Sequence, residues 1–207
     1  MEYKDYEDAL LENQLQEAAL KYNYLSPEDY LAFERSSVRD KHELHEGYLV
    51  TMQGASMNHN KIVANLLGGI VPYLKGNRCQ VFPGDMRVYI PTAGSFTYPD
   101  ISILCDEPDV LDDTYLDTIR NPTVIIEVLS PSTENYDRGK KFFIYRQIPA
   151  LKEYILISTT SCSIRASHKQ ADGSWKFNDL NGKESILSIP TIQYQCPLAE
   201  VYDRVLF

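Results

Sequence analysis

Seven consecutive residues, Thr123-Val-Ile-Ile-Glu-Val-Leu129, constrain this chain more than any other stretch. β-Branched side chains dominate the run and no polar face alternates with an apolar one. That is the pattern of a central strand covered on both sides. Glu127 interrupts it. A carboxylate in such a strand is costly unless it is paired or bound to a cation. The run therefore announces both a buried sheet and a candidate site. The bland alternative for Glu127 is a structural salt bridge, or a strand end open to water.

Asp100 follows Pro99 and opens a second apolar strand, Ile101–Leu104. A Pro-Asp pair is also an ordinary turn feature, so its weight lies in combination with Glu127. Two carboxylates on neighbouring strands can converge on one divalent cation, and magnesium takes few carboxylates, with waters and phosphate oxygens completing its shell.

After Glu127 comes Ser130-Pro-Ser-Thr-Glu-Asn-Tyr-Asp-Arg-Gly-Lys-Lys141, a strand-to-helix connection in which Thr133 or Asn135 is the expected cap. The helix is expected over Tyr136–Ile148, ended by Pro149. Asp137, Lys141, Tyr145 and Ile148 then share a face. A lysine aimed from that face at the two acids positions or deprotonates a water, or stabilises phosphate charge. The same spacing is that of a plain surface ion pair worth a few tenths of a kcal/mol.

His59 begins an apolar helix expected over Asn58–Tyr73, beside Lys61. Helix N-termini favour anions, so His59 either meets a phosphate or a metal-ligand carboxylate, or is a capping residue. Glu43 lies in His-Glu-Leu-His-Glu-Gly, a hairpin-like segment where a solvated strand residue is the alternative. His42 and His45 are three apart on a strand and so face opposite sides, which dismisses them as a metal pair.

Further strands are expected at Cys79–Phe82, Met86–Ile90, Tyr98–Leu104, Glu153–Ser158, Cys162–His168, Ser174–Phe177 and Ile186–Ile189, with a turn of helix at Leu198–Tyr202. Strands followed by a crossover helix and another strand describe an α/β (α+β) fold with a mixed central sheet and flanking helices. Ser26, Pro27, Glu28 and Asp29 start a helix. Leu10, Leu11, Leu15, Ala18, Ala19 and Tyr22 form a helical stripe in an N-terminal extension, residues 1–24, ahead of a domain over 25–207. That stripe and the aromatic content (15 Tyr, 7 Phe, 1 Trp) lead us to expect a homodimer.

The chain has 207 residues, 20 Lys and Arg against 29 Asp and Glu, and a net charge of −9. This excludes coating of nucleic acid by bulk attraction, though not a local basic groove. The four cysteines make no CxxC pair, and four reduced thiols in a cytoplasmic protein are expected. No signal peptide and no membrane span are visible. There is no P-loop, no GxGxxG and no GxSxG.

Taken together, Tyr98-Pro-Asp-Ile-Ser, Ile126-Glu-Val-Leu-Ser-Pro-Ser-Thr, Tyr136-Asp-Arg-Gly-Lys-Lys-Phe and Glu153-Tyr-Ile-Leu-Ile-Ser resemble the Uma-type family of putative restriction endonucleases, in the PD-(D/E)xK nuclease superfamily. Glu43-Leu-His-Glu-Gly, Met52, His59-Asn and Asp85-Met-Arg-Val also match. The resemblance runs from about Leu25 to the C-terminus. It implies a restriction-endonuclease-like core in which Asp100 and Glu127 hold the metal and the Val128 carbonyl is a third ligand. The superfamily lysine expected two residues after Glu127 is Leu129 here. Lys141 matches a lysine supplied from the next helix, with Lys140 as runner-up. Glu43 is a possible further ligand, and His59 matches a family histidine of uncertain role.

The activity implied is magnesium-dependent (or manganese-dependent) endonucleolytic hydrolysis of DNA, with a basic rim of Lys61, Arg87, Arg138, Lys140 and Arg146. The competing reading is a catalytically silent module of the same fold that binds nucleic acid or a protein partner. On the nuclease reading, Lys141→Ala slows cleavage while barely changing the melting temperature.

Overall fold

A computed structural model of the chain describes residues 24–111, 114–131 and 134–207. The expected N-terminal helix and the candidate cap Thr133 lie outside the described residues. The chain divides into two compact units.

The described part of the first unit comprises residues 24–54 and Tyr89–Thr97. Helix α1 (Pro27–Ser36) begins as its sequence dictates: the Ser26 hydroxyl accepts the Asp29 N–H, Pro27 occupies the first turn, and two acids sit at its positive end. Strands β1 (His42–His45) and β2 (Tyr48–Thr51) form an antiparallel hairpin. Glu46 and Gly47 turn it with φ of 53° and 88°, the positive pair that a tight hairpin needs. Leu25, Tyr30, Leu44, Leu49 and Phe96 form the unit's core. The histidines of β1 are structural, His42 on Glu34 at 3.0 Å and His45 on Glu43 at 2.9 Å.

The second unit comprises Ala55–Val88 and Tyr98–Phe207. Its sheet has six strands: β3 (Gln80–Pro83), β6 (Ile101–Leu104), β8 (Val124–Leu129), β9 (Glu153–Ser158), β10 (Ser163–Lys169) and β11 (Trp175–Asn181). In space they run β11-β10-β9-β8-β6-β3. The β8–β9 pair is parallel and the others are antiparallel. A parallel pair needs a crossover, and the helical segment 134–145 supplies it.

Helix α2 (Met57–Leu74) buries Ile62, Leu66, Ile70 and Leu74 in one core with Ile101, Ile103, Val124, Ile126, Ile155 and Ile157. Gly69 leaves room in this helix for the Tyr194 hydroxyl, which a Cβ there would meet. Strands β12 (Ile186–Ile189) and β13 (Tyr194–Pro197) pair with each other, and α5 (Leu198–Val201) closes the same core.

Strand β4 (Arg87–Ile90) begins in this unit, where Arg87 and Val88 pair in parallel with β7 (Thr118–Ile119), and ends in the first unit, which also holds β5 (Ser95–Thr97).

The structure corrects two expectations here. Cys79 and Cys105 are not reduced thiols: they form a disulfide, and only Cys162 and Cys196 are free. Gln80 is paired with Leu104, so the residues one step outward face each other across β3 and β6. Arg87 is not part of a basic rim either. It is buried, with its guanidinium on Asp117 and the Tyr98 hydroxyl, both at 3.0 Å.

Candidate active site

Strand β8 carries Glu127 with the whole strand buried, as the apolar run required. Strand β6 pairs with β8 through Ile101–Ile126, Ser102–Ile125 and Ile103–Val124. One step further along the same register, Asp100 falls opposite Glu127. The Asp100 Oδ2 accepts the Val128 N–H at 2.7 Å. A side-chain carboxylate thus continues the ladder where the backbone pairing stops, and the two acids are brought to one strand end.

The other Asp100 oxygen, Oδ1, lies 3.0 Å from His59 Nε2 at the start of α2. His59 reaches it because the Ser56 hydroxyl accepts the His59 N–H and fixes the first turn. The His59 Nδ1 is buried with no hydrogen-bond partner.

Glu127 is held from the crossover. The segment after β8 winds as α3 (Glu134–Tyr136), a π-helical turn (Asp137–Lys141) and α4 (Phe142–Tyr145). It starts earlier and ends earlier than the expected helix Tyr136–Ile148, and Asn135 lies inside its first turn rather than capping it. Lys141 Nζ lies 3.0 Å from Glu127 Oε1, and the Tyr145 hydroxyl donates to the same oxygen at 2.8 Å. Lys141 also stands 3.9 Å from Asp137 Oδ1. Asp137, Lys141 and Tyr145 do share a face, but it is a buried one, so the pair is no surface ion pair.

Tyr154 on β9 completes the cluster, its hydroxyl donating to the Asp137 carbonyl at 3.0 Å. Its phenol is pushed well above the ordinary tyrosine range, first by burial and then by the Glu127 charge and the neighbouring Tyr145. It therefore remains a protonated donor.

Glu43 and Lys140 are the remaining candidates. Glu43 lies in β1 of the first unit, buried and paired with His45 rather than solvated. Lys140 is exposed next to Lys141. Tyr145 and Tyr154 had no assigned role in the sequence, although Tyr145 stands four residues after Lys141 on its face.

No group of three or more His, Cys, Asp and Glu that could hold a metal occurs among the described residues. A magnesium ion needs fewer: one or two carboxylates suffice when water and phosphate supply the rest. The Asp100–Val128 hydrogen bond places both acids and the Val128 backbone together, so the residues present fit such an ion. No helix among the described residues is long and apolar enough to cross a membrane.

Comparison with known proteins agrees with this architecture. The chain is 40% identical over 151 residues to the uncharacterized protein slr1290 of Synechocystis, covering 73% of this chain and 77% of that one. It is 34% identical over 162 residues to sll1609 of the same organism, covering 78% and 90%. Its structure superposes with a TM-score of 0.71 on a crystal structure from Anabaena variabilis described as a putative nuclease belonging to DUF820. That match has 14% identity over 88% of this chain and 99% of the other, and it establishes a restriction-endonuclease-like fold. Residues 27–199 match the family model Uma2, described as "Putative restriction endonuclease", and the chain belongs to that family.

Proposed function

We propose that the protein is a divalent-cation-dependent endonuclease that hydrolyses phosphodiester bonds in DNA. The observation that carries this reading is the buried Lys141–Glu127 pair, at 3.0 Å, beside the residue whose N–H holds Asp100. That pair supports Lys141 as the counterpart of the lysine missing two residues after Glu127.

In this reading Asp100, Glu127 and the Val128 carbonyl hold the cation. Magnesium, or manganese in its place, supplies polarisation of the scissile phosphate and a bound water of lowered pKa. The Lys141 ammonium stabilises the negative charge that develops on the phosphate oxygens as water attacks phosphorus. The P–O bond to the leaving sugar breaks, and the proton lost by water ends on the leaving alcohol. Tyr145 fixes the same Glu127 oxygen, and His59 fixes Asp100. The buried tyrosines keep the back of the site dry.

The test is cleavage of supercoiled plasmid with magnesium, with manganese and with chelator. Cleavage that needs the cation and disappears in Glu127→Gln supports the reading. A folded wild-type protein that cuts no DNA with either ion leaves the silent module as the better account.

A further inference from the structure

Residues that pair directly across strands share a sheet face. Glu127 pairs with Leu156, Leu156 with Arg165, and Arg165 with Asp179. The adjacent row is Ile125, Tyr154, Ser167 and Phe177. The edge strand β11 therefore presents Phe177 on the face that carries Glu127, three strand spacings or ~14 Å away.

An unbroken aromatic path joins the two. The Tyr145 hydroxyl bonds Glu127, and its ring meets Tyr154 at 5.4 Å. Tyr154 stacks on Phe142 at 5.3 Å. Phe142 then meets Trp175 at 5.2 Å and Phe177 at 5.9 Å, edge to face. The outer end of the path is open: Phe177 is 53% exposed, as is Phe143 at 52%, with the Arg146 guanidinium 4.4 Å above the Phe143 ring.

The segment that carries these rings is richer in basic residues than the chain as a whole. Residues 134–181 hold eight Lys and Arg against five Asp and Glu, in a protein of net −9. Asp179 is held below the ordinary carboxylate range, chiefly by hydrogen bonds from Arg165, and Arg138 of the π turn, itself paired with Glu134 at 2.8 Å, adds to this.

We propose that this face docks unpaired bases of a nucleic-acid strand, with Phe177 and Trp175 as the stacking platform and the surrounding arginines tracking the phosphates. The proposal rests on the nuclease reading for what is cut, and not for what is bound. Aromatic rings interleaved with cations are what a single strand needs, since each exposed base offers a π-face. A duplex hides those faces. A second copy of the chain fits less well, because a two-fold contact would set the same cationic surface against itself.

Trp175 is the only tryptophan, so its emission reports the platform directly. The full-length protein is titrated with a thymidine oligonucleotide and with a duplex of equal length, both in chelator so that nothing is cut. The single strand is expected to quench Trp175 and to bind more tightly than the duplex. Phe177→Ala is expected to weaken that binding about five- to a hundredfold, the effect of one lost base stack, and Phe177→Tyr to restore it. Absence of quenching, equal binding of duplex, or a Phe177→Ala variant that binds normally but changes oligomeric mass in light scattering each overturn the proposal. Quenching by a protein that cuts nothing in magnesium or manganese supports the platform and overturns the nuclease reading. Cleavage without quenching does the reverse.

Discussion

Lys141 Nζ lies 3.0 Å from Glu127 Oε1, and both side chains are less than a tenth exposed. A pair this buried is costly to break from one side, because the survivor is left charged in a dry site. Lys141→Ala is therefore expected to lose about a hundredfold in cleavage rate, the usual effect of removing a donor to developing charge. It should also lower stability by about 3–5 kcal/mol. The nuclease reading of the sequence carried an unchanged melting temperature, and burial reverses that. Lys140→Ala, at an exposed position, should leave melting unchanged and weaken DNA binding with added salt sensitivity. Paired thermal melts and cleavage rates of the two variants check this.

Tyr145→Phe removes one hydroxyl from Glu127 and keeps the ring against Tyr154. Hydrogen bonds to charged groups contribute about 1.5–3 kcal/mol, so chemical unfolding should show a loss of that order with an unchanged denaturant slope. If Tyr145 positions Glu127, kcat falls while KM for DNA stays constant.

Asp100 separates charge from hydrogen bonding. In Asp100→Asn the amide oxygen still accepts the Val128 N–H, so melting is expected to stay near wild type while cation-dependent cleavage is lost. Asp100→Ala strips the acceptor from that N–H as well and should cost about 1–3 kcal/mol. Differential scanning calorimetry of the two variants distinguishes the contributions.

The Cys79–Cys105 disulfide closes a loop of sequence separation 26, which on chain entropy is worth about 3.5 kcal/mol. Intact mass without reductant should be two hydrogens below the reduced value. Two thiols should react after denaturation without reductant, and four with it. Reduction should lower the melting temperature.

Three tyrosines set the alkaline limit. Burial pushes the phenols of Tyr154, Tyr194 and Tyr202 above the ordinary value of 10.0. Below that value both folded and unfolded chains are protonated, and the full stabilisation is present. Above it the unfolded chain releases protons that the folded chain retains, so stability falls as pH rises toward the folded pKa values. Ultraviolet titration of phenolate should show these tyrosines silent until the protein unfolds.

The elements easiest to read in sequence were those with a clear apolar run or stripe. Glu153–Ser158 and Ile186–Ile189 fall where their apolar runs put them, and α2 differs from expectation by one residue at each end. Short strands escaped: Thr118–Ile119 is too brief for any period, and Tyr194–Pro197 ends in a proline. The bounds of the crossover helix were misjudged, by two residues at its start and three at its end, and spacing gave no sign that Asp137–Lys141 winds as a π turn. Glu127 announced itself by being a charge among apolar neighbours. Its partner Tyr145 carried no such signal, since a tyrosine among apolar residues is ordinary core. The Cys79–Cys105 bond depends on the register of two strands separated by a loop, which residue spacing does not encode.

Strand β6 is paired to β8 through only three residues, a ladder short enough to slide. Slippage by two positions would leave its apolar side chains inward and go unpunished by the core. Both ends are latched instead. At one end Asp100 grips the Val128 N–H; at the other Cys105 is bonded to Cys79, and its N–H meets the Thr123 hydroxyl. Under mechanical load or partial unfolding, β6 is thus expected to detach whole or not at all. The spacing between the two acids is thus tied to a single register of β6 on β8.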